Sequence, residues 1–317
     1  MKPVIFISLC LVLCDSGWAQ NLVKIPHIDG EYIQIYKPKG DKFPGPNTTE
    51  LKQGQYYKNW IPNDHCFIKS DDGIWHLFGI THPLTRLDAV HEGEVMSLHA
   101  VAPKGTFRQA IQTRVWKDKP KILSPGKRPG DIHEFYAPTH VKKDGINYLI
   151  WGPTAPLRYA TSEDLYNWDY HGELKDTPED RDPNILFYEG TYYLITCGKY
   201  CVNIATSKDL ITWTSHKPII TSKSLDFESP YLIRYNNTFY LFTCFWDGIW
   251  DMKSVSGAYQ HITKVYQSDD IFNFDDKPII EINAHAPEII MDEDGDWYIS
   301  SAEWPNRGIS VARLIWE

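Results

Sequence analysis

No cluster of basic residues stands anywhere in this 317-residue sequence, and acids outnumber bases, 41 Asp and Glu against 32 Lys and Arg, for a formal net charge of −9. That excludes the counterion-displacing surface that nucleic acid requires. Beyond the first residues no apolar run is long enough to cross a bilayer, so no membrane partner is expected. No long stretch carries a helical apolar period either, which disfavours layered α/β architecture. Cysteine is scarce, with six in all. Cys197 and Cys201 form a Cys-x3-Cys pair with no second ligand pair after it, which is not a zinc signature.

What is present begins with a leader. Met1-Lys2 is a short basic start, Val4 to Leu13 is apolar, and Gly17-Trp18-Ala19 sets small residues two apart before Gln20. Residues 1–19 therefore read as a secretory signal peptide, the alternative being a signal anchor. The mature protein is expected to be secreted, soluble and monomeric. Cys10 and Cys14 leave with the leader. The four remaining cysteines, Cys66, Cys197, Cys201 and Cys244, suggest one or two disulfides, with three full pairings open. Asn47-Thr48-Thr49 and Asn236-Asn237-Thr238 are glycosylation sequons, the second at an expected hairpin tip.

Internal repetition decides the fold. PNDHCFIKSDDGIWHLFG (62–79), YAPTHVKKDGINYLIWG (136–152), RDPNILFYEGTYYLITC (181–197), ESPYLIRYNNTFYLFTC (228–244) and HAPEIIMDEDGDWYISSA (285–302) share one plan. A polar entry, proline in four of the five, leads into an apolar strand. A turn with Asp-Gly, Glu-Gly or Asn-Asn follows, then a strand rich in Tyr, Trp, Leu and Phe, which is a hairpin signal. ATSEDLYNW (160–168), ATSKDLITW (205–213) and YQSDDIFNF (266–274) read as a third strand, a turn and the start of an outer fourth. A spacing of ~40–50 residues suits propeller blades. The expected fold is an all-β, five-bladed β-propeller over residues 61–317, with residues 20–60 as an N-terminal arm or closing strand. A β-sandwich is the alternative, but its strands need not repeat a motif at this period.

The recurring proline and the small residue before it belong to the architecture. Proline starts a strand without breaking a ladder and pushes its predecessor toward extended geometry. The varying entry residues, Asn63-Asp64, Tyr136-Ala137, Arg181-Asp182, Glu228-Ser229 and His285-Ala286, are expected to face one another around the propeller axis. Three blades bring a carboxylate there: Asp64, Asp182 and Glu228. Converging acids raise one another's pKa, which stability alone does not call for. Glycoside hydrolysis does need carboxyls in different ionisation states, one to donate a proton, one to activate water or attack the sugar, and a third can tune the donor. Taken singly, Asp182 before proline reads as a turn or strand cap, Asp64 as a turn residue and Glu228 as an exposed edge residue. Their corresponding positions favour the catalytic reading.

PNDHCFI, YAPTHVKKDG, RDPNILF with ATSKDLITW, ESPYLI and HAPEI together resemble the five-bladed propeller glycosidases of glycoside hydrolase families 43, 32, 62 and 68, over roughly residues 60–317. That resemblance implies a general base or nucleophile at Asp64, a tuning acid at Asp182 and a general acid at Glu228. It also implies that His285 sits near a bound calcium or water in the channel; the alternative is a satisfied histidine at a strand start. No other cofactor is implied. One departure concerns the base: the first-blade motif usually has proline after the Asp, and here it is His65. Candidate sugar contacts are His65, His82, Tyr136, Arg181, Trp246, His285 and Trp304, with Trp250 a further option; for any one tryptophan the alternative is blade packing. The insertion IWDMKSVSGAYQHITKV lengthens the fourth blade. The expected function is a secreted glycosidase acting on furanosides or pentosides (arabinosides, xylosides or fructosides). The alternatives are a non-hydrolytic propeller that binds glycans, or one recruited to other small-molecule chemistry.

Overall fold

A computed structural model describes residues 23–37, 60–83, 96–119, 122, 135–152, 156–178, 180–224, 226–246 and 261–317. Asn47, Trp250 and most of the fourth-blade insertion lie outside them. Its strands form five antiparallel sheets arranged as the blades of a propeller.

Strand β1 (Pro26–Tyr36) comes first in the chain but belongs to the last sheet. Blade I holds β2 (Trp60–Lys69), β3 (Trp75–Pro83), β4 (Met96–Val101) and β5 (Lys117–Asp118), with helix α1 (Phe107–Thr113) between the last two. Blade II holds β6 (Thr139–Lys143), β7 (Ile146–Trp151), β8 (Arg158–Ser162) and β9 (Asp169–Glu173). Blade III holds β10 (Arg181–Tyr188), β11 (Thr191–Gly198), β12 (Cys201–Ser207), β13 (Thr214–Ser215) and β14 (Ile220–Thr221), the last two both pairing with β12. Blade IV holds β15 (Asp226–Tyr235), β16 (Thr238–Trp246), β17 (Ile262–Ser268) and β18 (Ile280–Asn283). Blade V holds β19 (Ile289–Met291), β20 (Trp297–Ala302) and β21 (Ile309–Trp316), and β1 pairs with β21 as its outer strand. The first and last described strands thus meet in one sheet.

The second strand of each blade is apolar on both faces because both faces are covered. Leu77 packs between blades V and I while its neighbour Phe78 packs between I and II. Leu149 and Ile150, Leu194 and Ile195, and Tyr240 and Leu241 divide in the same way. Alternate side chains of a strand point to opposite faces, so one strand serves two cores. Truncating Leu194, fully buried, to Ala would cost about 2–5 kcal/mol.

The Ser-x-Asp-Leu motif is a turn device. Ser207 Oγ accepts from the backbone N–H of Leu210 (2.9 Å), and Asp209 Oδ1 accepts from Ile211 and Thr212 (2.8 Å each). Ser162 and Asp164 repeat these bonds in blade II. Trp168 and Trp213 each return an indole N–H to the motif's leucine carbonyl. Asn236 and Asn237 both take positive φ at an exposed hairpin tip, as a two-residue turn demands.

Two expectations are corrected. The residues before the four entry prolines are not extended: Ala137, Asp182, Ser229 and Ala286 have φ of 37°, 55°, 44° and 45°. Nor do the cysteines form disulfides; Cys66, Cys197, Cys201 and Cys244 are free thiols. Register explains the nearest pair, since Cys197 lies opposite Val202 while Cys201 lies opposite Gly198. The others are dispersed, Cys66 between blades I and II and Cys197 between III and IV, while Cys244 lies near Thr263 (3.2 Å).

Candidate active site

The left-handed backbone at the blade entries shapes the centre of the ring. In blades III and IV the ladder is irregular at the same place, between Arg181 and Asn184 and between Glu228 and Tyr231; blade I is irregular between Pro62 and His65. Such a bulge re-aims side chains. A regular strand would turn only alternate residues toward the axis, yet Asp182, Pro183 and Asn184 all line one small central cleft. Asp64, His65, Ser229, Pro230 and Glu288 line it too. Its cavity of about 20 Å³ holds roughly one water molecule. Left-handed φ at a residue other than glycine costs of order 1–3 kcal/mol and collects at functional sites.

The repeat places Asn63, Tyr136, Arg181, Glu228 and His285 at one equivalent position and Asp64, Ala137, Asp182, Ser229 and Ala286 at the next. Glu228 therefore stands one residue earlier in its blade than Asp64 and Asp182 do in theirs. Arg181 joins the group: Nη1 lies 2.5 Å from Asp182 Oδ2 and Nη2 lies 2.8 Å from Glu228 Oε1. Both carboxylates are buried at 5 % exposure. Asp182 Oδ2 also accepts from the Cys197 thiol (3.0 Å) and from the Ser229 backbone N–H (3.1 Å). Asp64 takes a hydrogen bond from Ser229 Oγ at 2.5 Å, across from blade IV.

These surroundings raise both Asp64 and Glu228. Burial pushes Glu228 up to about 8; Arg181 pulls it down, while Asp182 and Asp64 push it further up. Burial and then the charge of Asp182 raise Asp64 to about 7, held there by the Ser229 hydroxyl and Arg181. Both carboxyls are thus raised well above the usual carboxylate range, so a proton can be held on this group of acids near neutral pH. One group can then donate a proton while another accepts one, the division that acid–base chemistry needs.

His65 is buried, with Nδ1 3.0 Å from the Asn63 carbonyl and Nε2 2.8 Å from Ser300 Oγ. A carbonyl only accepts, so Nδ1 bears the proton and Nε2 accepts from Ser300. Burial lowers its pKa to about 4, so it is neutral. The residue replacing the usual proline thus ties blade I to blade V beside Asp64. His285 is buried and neutral, its pKa lowered to about 3 by burial. Its Nε2 meets Asn63 Oδ1 at 3.0 Å. Asn63 Oδ1 is engaged by this imidazole, and among the described residues no group of three or more His, Cys, Asp and Glu is placed to hold a metal ion.

Tyr136 packs against the core between blades I and II. His82 lies one pair from the end of the β2–β3 ladder, opposite Ile61, and Trp246 ends the β15–β16 ladder opposite Asp226; both side chains lie outside the described residues. Trp304 lines a different groove, away from the acids. Three neighbours were not singled out from sequence: Ser229, Cys197 and Glu288. Glu288 sits two residues past the acid position in its repeat, and burial, then Asp64, raises it well above the usual carboxylate range. The repeat alignment held that signal, since Cys66, Thr139, Asn184 and Tyr231 stand at the equivalent position in the other blades.

Residues 176–315 match the model of Glycosyl hydrolases family 43. A comparison with curated proteins finds no match. Among solved structures the chain is similar to a family 32 β-fructofuranosidase from Bombyx mori (17% identity, TM-score 0.56), covering 80% of this chain and 59% of that one. It is similar to an exo-1,5-α-L-arabinanase from a bovine ruminal metagenomic library (16% identity, TM-score 0.57, 81% and 92% covered). It is also similar to a family 117 glycoside hydrolase from Zobellia galactanivorans (13% identity, TM-score 0.58, 93% and 91% covered). The family 43 match over residues 176–315, on a five-bladed propeller shared with these glycoside hydrolases, supports a glycosidase.

Proposed function

We propose that this chain is a secreted glycoside hydrolase of furanosides or pentosides. Glu228 protonates the leaving oxygen, Asp64 serves as base or nucleophile, and Asp182 orients and tunes Glu228 through their shared Arg181. The observation that carries this reading is the convergence of three buried acids from blades I, III and IV, with Arg181 joining Asp182 to Glu228 and Ser229 reaching across to Asp64. Asp64 and Asp182 line the central cleft, and Glu228 is joined to them through Arg181. The furanoside or pentoside class is supported by the motif resemblance and by the arabinanase and β-fructofuranosidase likenesses.

The test is hydrolysis of aryl α-L-arabinofuranoside, aryl β-D-xyloside and fructosides by the purified protein. Activity on at least one is expected, with a bell-shaped pH profile whose limbs belong to the coupled Asp64–Glu228 pair and lie above the usual carboxylate range. Glu228→Gln should lower kcat by roughly 10²–10⁴. A folded wild-type protein inactive on every one of these substrates would overturn the assignment.

A further inference from the structure

From a second cavity we infer a carbohydrate-binding site for neutral polysaccharide, separate from the acid cleft, between the outer strands of blades IV and V. The inference rests on the glycosidase reading for its ligand class and deepens it.

The cavity has a volume of about 620 Å³, within the range of small-molecule sites and far larger than the acid cleft. Its walls come from β1 and β18, and the loop 303–308 lies over one end. Tyr32 and Trp304 line it as an edge-to-face pair, ring centroids 5.3 Å apart at 82°. Tyr32 is fixed by its hydroxyl, which donates to the Asn283 carbonyl at 2.8 Å.

The loop that carries Trp304 is firmly built. Glu303 N–H donates to the Gly308 carbonyl (2.8 Å), Gly308 N–H donates to Glu303 Oε1 (3.1 Å), and Gln34 Nε2 donates to the Arg307 carbonyl (2.7 Å). Gly308 has φ 141°, and a Cβ there would fall 2.4 Å from the Tyr36 carbonyl oxygen. This support holds a half-buried indole at the rim of a cavity.

Polar groups complete the site: Glu31, Glu281, Asn283 and Asn306 stand around the aromatic pair. Sugars present C–H faces to aromatic rings and hydroxyls to carboxylates and amides. Exposed Glu31, and Glu281 already paired with Lys264 at 3.5 Å, on a chain of net charge −9, disfavour uronate or sulfate polymers. A neutral glycan fits. Blade V links the two places along the chain: β20 ends at Ala302, whose N–H bonds to the His285 carbonyl at that blade's entry, and the next residues carry Trp304.

The test is affinity electrophoresis in gels containing arabinan, arabinoxylan or inulin, run on Glu228→Gln to stop hydrolysis. Retardation is expected on at least one polymer. Adding Trp304→Ala should weaken it roughly tenfold or more, as loss of an aromatic anchor does. Asn306→Arg, at an exposed position, should weaken it by crowding the groove, and it serves if Trp304→Ala fails to fold. Equal retardation of folded Glu228→Gln with and without these changes overturns the inference and leaves the glycosidase reading standing. No retardation on any polymer, with wild-type hydrolysis of aryl glycosides intact, also overturns it alone. Retardation lost on Trp304→Ala in a protein that hydrolyses nothing upholds the site and removes the enzyme.

Discussion

Replacing Glu228 by Gln should stabilise the fold at alkaline pH while removing the proposed chemistry. Glutamate has an unfolded value of 4.5, and burial raises Glu228 to about 8 in the folded protein. Below pH 4.5 both states hold the proton and the group has no effect. Between 4.5 and 8 the folded state holds a proton that the unfolded state lacks, so raising the pH favours unfolding. Each unit contributes about 1.4 kcal/mol, and the window integrates to roughly 5 kcal/mol. Gln has the same shape, keeps Oε1 to accept from Arg181, and cannot ionise. The opposing effect is loss of an ion pair, which costs about 3–5 kcal/mol when it strands a buried charge. Arg181 is not stranded, because Asp182 remains 2.5 Å away and the guanidinium side chain is 26% exposed. The variant should therefore match wild type near pH 4.5 and exceed it by a few kcal/mol at pH 8, a shift of order 10 °C in Tm. Urea unfolding of both proteins, followed by tryptophan fluorescence from pH 4 to 9, measures the difference. A flat difference curve, or a variant less stable than wild type at pH 8, would refute a protonated Glu228.

Two further substitutions probe the same circuit. Ser229→Ala removes the hydroxyl that donates to Asp64, so Asp64 should rise by about one to two pKa units and carry the acidic limb of the kcat/KM–pH profile upward; an unmoved limb would mean that Asp64 does not govern it. Arg181→Met strands Asp182 and Glu228 together and should destabilise the protein by about 3–5 kcal/mol at pH 8, with recovery as the pH falls and a carboxyl takes up a proton; pH-independent destabilisation in urea melts would point to lost packing instead.

The fivefold plan was legible because each blade repeats the same local devices. Ser207 and Asp209 satisfy backbone N–H groups within a few residues, as Ser162 and Asp164 do, so the motif recurs wherever the turn recurs. Asp64, Asp182 and Glu228 stood out because they vary where the rest of the entry is constant. The disulfides failed because a cysteine count carries no distances, and the four thiols are spread over three blades. Extended geometry before proline failed because the bulged entries, which bring consecutive residues to the axis, override a local steric preference. Trp304 was visible as a candidate, but its partner Tyr32 lies 272 positions earlier, in a strand that joins the last sheet.

Residue order alone carries the hairpins, the turn motif and the identity of the acids, because each depends on neighbours within a few positions. Which acid keeps its proton is a property of the folded ring. Burial at the axis, Arg181 reaching both Asp182 and Glu228, and Ser229 reaching across to Asp64 exist only when blades I, III and IV close around one centre. Desolvation and charge act through distance in space, and the chain brings residues 64 and 229 together only by completing the circle.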